Sequence, residues 1–154
     1  MFDPVQVARL PFNNTWSDEY RRQYFWEFFF KSSFIGEFRF PELTLLASML
    51  MIAAMLCLPL LLLGIVSDLR HRFVAILPVS LSTLALLGAA IAYPAFFAYA
   101  PNQDFRFSIP LILPITYYIV RGARTVPKRI RVVAQALIVL VSVLSAAMLV
   151  AITL

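Results

Sequence analysis

Four long apolar runs, separated by short polar stretches, organise this chain. The first covers residues 43–66, "LTLLASMLMIAAMLCLPLLLLGIV", without a charged side chain. The second, 73–100, is also free of charge and has Pro78 and Pro94 near its ends. The third is shorter, "FSIPLILPITYYIV" over 107–120, and contains Pro110 and Pro114. The fourth runs from Val132 to Leu154, with Gln135 as its strongly polar member. About 20 apolar residues cross a hydrocarbon core of about 30 Å, so the first, second and fourth runs read as spans. The third reaches crossing length only by taking in flanking polar residues, and each of its prolines removes a helical hydrogen bond. A re-entrant hairpin is its other option, because irregular backbone survives at membrane depth where protein or a watery cavity surrounds it.

The pattern changes before residue 43. "RRQYFWEFFFKSSFIGEFRFPE", residues 21–42, is dense in aromatic rings yet carries Arg, Lys and Glu throughout. Asp18 and Arg22, then Glu27 and Lys31, are spaced i,i+4 in the favourable acid-first order. Tyr20, Tyr24 and Phe28 share the same spacing on a neighbouring stripe. Rings of this kind concentrate at the headgroup zone. The segment therefore predicts an amphipathic helix lying in the membrane interface, broken near Gly36 and turned into the bilayer at Pro41. It serves either as a plain interfacial anchor or as a surface that meets a ligand.

The expected fold is thus all-α. An aromatic-rich interfacial segment, 1–42, precedes an integral membrane domain, 43–154, of about four transmembrane helices near 43–66, 73–100, 107–123 and 132–154. Composition agrees: 62% of the 154 residues are hydrophobic and 14% charged, whereas soluble domains carry about 25% charged residues.

Charge placement predicts topology. Residues 67–72 hold Arg70 and Arg72 beside Asp68, and residues 121–131 hold Arg121, Arg124, Lys128, Arg129 and Arg131 without an acid. If all four runs cross, these stretches share one face. All of the 8 acids except Asp68 fall on the other side, beside the remaining cations. Basic loops stay cytoplasmic, so the amino-terminal segment and the loop 101–106 are expected outside. The formal charge of +5 is accounted for by these loops and marks no nucleic-acid stripe.

Few residues suggest chemistry. Asp104 and Arg106, in "YAPNQDFRFSIP", lie between two runs and are flanked by aromatic residues and prolines. They form either a solvated local contact of little energetic weight or a phosphate-facing Arg oriented by its neighbouring acid, since the planar guanidinium offers paired donors. Cys57, the single cysteine, lies in an apolar run and reads as a small buried hydrophobe. His71 has no companion His, Cys or carboxylate cluster, so no metal site is expected. No glycine-rich phosphate loop, serine elbow or paired-cysteine motif occurs, and no catalytic constellation or cofactor site is expected.

"RRQYFWEFFFKSSFIGEFRF", followed by a span and then by "PNQDFRFSIPLILP" at the start of a later one, resembles the carboxyl-terminal part of bacterial multi-spanning glycosyltransferases. These are the C-superfamily enzymes related to protein O-mannosyltransferases, which use polyprenyl-phosphate-linked sugars. The resemblance covers roughly residues 13–120 and implies a bacterial inner (plasma) membrane protein with its amino terminus outside. It also implies a module that helps to hold the lipid-linked donor, with Lys31, Arg39, Asp104 and Arg106 matched by position to the carrier phosphate. Family enzymes have many more spans and place a catalytic acid in the outer loop after their first span. Here the first span is followed by the short basic stretch 67–72, so this chain is expected to be non-catalytic and to need a larger membrane protein partner carrying that acid. Its other partner would be membrane lipid, including the polyprenyl-phosphate sugar.

A second expectation belongs to another class: a small accessory subunit that buttresses a larger membrane complex. Small residues such as Gly88, Ala89, Ala90 and Ala92, or Ser142, Ser145 and Ala146, would then meet partner helices.

Overall fold

The computed structural model describes residues 3–13, 25–36, 39–96 and 109–153. Among these residues six α-helices follow one another, α1 (Pro4–Arg9), α2 (Phe25–Ile35), α3 (Thr44–His71), α4 (Phe73–Phe96), α5 (Ile112–Thr125) and α6 (Lys128–Thr153). No strand occurs among the described residues. Among the described residues, three segments are long and apolar enough to cross a bilayer: Pro41–His71, Phe73–Ala92 and Lys128–Thr153. The protein is an all-α membrane protein.

Local chemistry explains the helix ends. Asp3 caps α1, its Oδ1 accepting from the Val5 and Gln6 amides at 2.9 and 3.2 Å, and Pro4 occupies a first-turn position where no N–H is needed. Beyond α2, Gly36 adopts φ +75°, a conformation that costs a residue without a Cβ little. Its amide closes the last turn on Ser32 O at 3.1 Å. A 3₁₀ turn, Pro41–Leu43, leads into α3, and Thr44 Oγ1 donates to Pro41 O at 2.6 Å.

Helix α3 has 28 residues, a length of about 42 Å at about 1.5 Å per residue. It outruns the apolar stretch 43–66 and carries "SDLRH" as helix to His71, so only Arg72 separates it from α4. The polar extension stays helical because Asp68 is buried against partners on α5. Helix α5 has 14 residues, about 21 Å, short of a hydrocarbon core of about 30 Å. Pro110 falls in a 3₁₀ turn over 109–111 and Pro114 in the first turn of α5. The prolines therefore set where α5 starts, since first-turn amides have no intrahelical partner to lose.

Helix α3 is the centre of the bundle. One apolar cluster joins Ala47, Leu50, Met51 and Ala53 of α3 to Leu144 and Met148 of α6, with Val7 of α1, Phe12 and Ile35 of α2 added to it. A second joins Leu60 of α3 to Ala123 of α5 and Ala134 of α6. Early α3 thus meets late α6 and late α3 meets early α6, so the two run antiparallel. The chain between them leaves and returns to one end of the bundle. Helices α1 and α2 sit at the other end, against the first turns of α3.

The α3–α5 contact is closer than side chains normally allow. Gly64 and Gly122 meet there, and a Cβ on Gly64 would overlap the Tyr118 carbonyl oxygen while one on Gly122 would overlap that of Leu60. Small residues at such crossings let backbones approach until van der Waals contact is continuous. Helix α4 behaves differently. Of its apolar window 6% is buried, against 39% for α3. A hydroxyl pair, Ser80 Oγ and Tyr118 OH at 3.1 Å, links it to α5.

Candidate functional site

Polar side chains gather at both ends of the bundle. At the end where α3 stops and α6 starts, Asp68 is fully buried, 0% exposed. Tyr117 OH donates to its Oδ2 at 2.6 Å, and Arg121 Nε donates to its Oδ1 at 2.7 Å. Both donors lie on α5, four residues apart and hence on one face. Each carboxylate oxygen is therefore engaged, and the buried negative charge is matched by the guanidinium beside it. An ion pair of this kind gains little over an apolar contact, yet breaking it by removing one partner leaves a charge stranded. Chemically the trio is a staple between helices: Asp68 is enclosed and both of its oxygens accept from α5.

Arg131 makes a second link at this end. Its Nη2 donates to Arg124 O at 2.9 Å and to Val126 O at 3.4 Å, capping the end of α5 from the start of α6. Arg70, Arg72, Arg124, Lys128 and Arg129 are exposed. His71 is exposed too, its Nδ1 at 2.9 Å from Ser67 O. No group of three His, Cys, Asp or Glu residues able to hold a metal occurs among the described residues.

At the opposite end Lys31 Nζ meets Glu27 Oε1 at 2.6 Å, with both side chains almost fully buried. The i,i+4 spacing brings them together along α2, and the surrounding Phe30, Phe34 and Ile35 join the first apolar cluster. Glu27 Oε2 is buried without a hydrogen-bond partner. Lys31 is thus enclosed and committed to Glu27, so a phosphate reaching it would have to compete with that carboxylate. Arg39 is exposed at the approach to α3. It precedes Phe40, whose ring meets Phe12 edge-on at 6.2 Å. Asn13 Nδ2 donates to Gly36 O at 3.1 Å, tying the stretch after α1 to the end of α2.

Of the residues matched to a carrier phosphate, the structure places Lys31 and Arg39 at this second end, one inside and one on the surface. Asp104 and Arg106 lie outside the described residues. The sequence reading counted Asp68 only as an offset to its basic neighbours and missed its role. The one trace in the sequence is a lone acid on an otherwise basic face; nothing in the spacing points to Tyr117 or Arg121, which lie 49 and 53 residues further on. Comparison with protein families, with curated proteins and with solved structures finds no match to this chain.

Proposed function

We propose that the chain is a non-catalytic carboxyl-terminal module of a membrane glycosyltransferase that uses a polyprenyl-phosphate-linked sugar, and that it helps to bind the lipid carrier at the outer face. The observation that carries this reading is the gathering of α1, the aromatic α2 and exposed Arg39 at one end of α3, away from the basic stretches. On this reading that end lies outside the cell, because basic stretches stay cytoplasmic. Arg39 is exposed and open to a phosphate, which its paired donors suit, and Arg106 is the second cation that the resemblance assigns to the carrier. The Glu27–Lys31 pair holds the aromatic helix in shape. The resemblance of "RRQYFWEFFFKSSFIGEFRF" and "PNQDFRFSIPLILP" to such enzymes supports the same assignment.

The test is sugar transfer from a radiolabelled polyprenyl-phosphate donor in membranes that contain this chain and a larger partner glycosyltransferase. Arg39→Ala and Arg106→Ala are expected to lower transfer about tenfold together, the loss of one good charge-assisted contact or more. Unchanged transfer rejects the carrier-binding role.

A second reading, an accessory subunit of a larger membrane complex, is favoured by α4. With 6% of its apolar window covered by its own chain, this helix offers almost its whole surface to lipid or to another protein. Mild detergent extraction followed by mass analysis separates the two. A stoichiometric assembly without any glycosyltransferase selects the accessory role.

A further inference from the structure

The structure divides the cations at the α3/α6 end into two sets. Arg121 is spent on Asp68, and Arg131 is turned onto the carbonyls that end α5. Arg70, Arg72, Arg124, Lys128 and Arg129 remain exposed, and none of them forms an ion pair among the described residues. The acid of this end, Asp68, is buried and already neutralised. The other described acids, Asp3, Glu27 and Glu42, belong to the opposite end. Among the described residues, these five like charges therefore share no acid of their own beyond Asp68, which is already held by Arg121.

Two further observations say what neutralises them. Lys128 and Arg129 stand in the first turn of α6 with no acid beside them, where the positive end of the helix dipole adds to their repulsion. Exposed apolar side chains adjoin the cations on both sides: Leu69 and Phe73 at 45% and 56% exposure, Ile130 and Val132 at 54% and 68%. Side chains of that kind belong in hydrocarbon, which sets the cations at the level of the headgroups and not out in water. We infer that this face is a binding surface for anionic phospholipid headgroups, with the five cations gathering the phosphates of the surrounding leaflet. The assignment is independent of which face is cytoplasmic and goes beyond the carrier-lipid reading, which concerns the other end of the bundle.

The experiment is native mass spectrometry of the full chain in non-ionic detergent micelles doped with equal amounts of phosphatidylglycerol and phosphatidylcholine. The wild type is expected to retain phosphatidylglycerol preferentially. Single replacements, Arg70→Gln, Arg72→Gln, Arg124→Gln, Lys128→Gln and Arg129→Gln, are each expected to weaken retention about fivefold. They leave the Asp68 staple and the Arg131 cap in place, so a folded protein is measured throughout. Arg9→Gln, at the opposite end, should leave retention unchanged. Equal retention of the two lipids by the wild type overturns the inference and assigns the patch to an acidic protein segment. Displacement of phosphatidylglycerol by millimolar inorganic phosphate also overturns it, since that result marks a site for the free anion.

Discussion

Gly64 and Gly122 occupy one point of contact between α3 and α5, each where a side chain would run into the other helix's backbone. This reciprocal fit holds the short α5 against the longest helix of the bundle. It also brings Tyr117 and Arg121 within reach of Asp68, one turn beyond Gly64.

Alanine at either position forces the helices apart. Gly64→Ala and Gly122→Ala should each cost about 1–3 kcal/mol, the range for overpacking a close contact, read as a lowered midpoint of thermal unfolding in detergent. Because both changes relieve or strain the same crossing, the double variant should cost less than the sum of the singles. Gly88→Ala is the control: a Cβ there meets nothing within 4 Å, and the helix propensity of alanine should stabilise α4 by up to about 1 kcal/mol.

The Asp68 staple predicts an asymmetric mutant series. Arg121→Met strands a buried carboxylate and should destabilise by about 3 kcal/mol, the low end for a broken buried pair because Arg121 keeps some solvent contact. The double change Asp68→Leu with Arg121→Met removes both charges and should recover most of that loss. Unfolding midpoints of the wild type, Arg121→Met, Asp68→Leu and the double variant in one detergent decide the matter. A double variant no better than Arg121→Met would show that the staple contributes through shape and not through charge.

The Glu27–Lys31 pair makes the same kind of claim at the other end. Lys31→Met leaves Glu27 with neither oxygen engaged and should destabilise the packing of α2, whereas Glu27→Met with Lys31→Met should be tolerated better than either single change. Hydrogen exchange of the α2 amides reports this locally. Faster exchange in the singles than in the double is the expected order.

Topology can be read with thiol labelling. After Cys57, buried in α3, is replaced by alanine, Arg39→Cys and Arg124→Cys place single thiols at opposite ends of the bundle. An impermeant maleimide added to intact cells should modify the first and reach the second only after permeabilisation. The reverse pattern would remove the carrier-binding proposal, because Arg39 would then face the cytoplasm.

Much of the architecture is written in the residue pattern. Charge-free runs near 43–66, 73–100 and 132–154 became α3, α4 and α6, since burying the backbone of so apolar a chain in lipid leaves helix as the economical way to satisfy every amide. The break at Gly36 and the Glu27–Lys31 pairing are also local, set by a missing Cβ and by i,i+4 geometry. Those features depend on neighbours a few residues away, which a sequence displays directly.

The tertiary structure decided the rest. Asp68 finds its partners 49 and 53 residues further along the chain, a distance over which spacing carries no usable signal. Gly64 and Gly122 each look like ordinary helix residues until two backbones are brought into contact. The spacing of Glu27 and Lys31 announces their pairing, and only the packing of α2 shows that the pair is enclosed. Apolar periodicity says which segments leave water. Whether Asp68 is neutralised, and by which groups, is settled by the crossing of α3 and α5, because that close approach brings Tyr117 and Arg121 within reach.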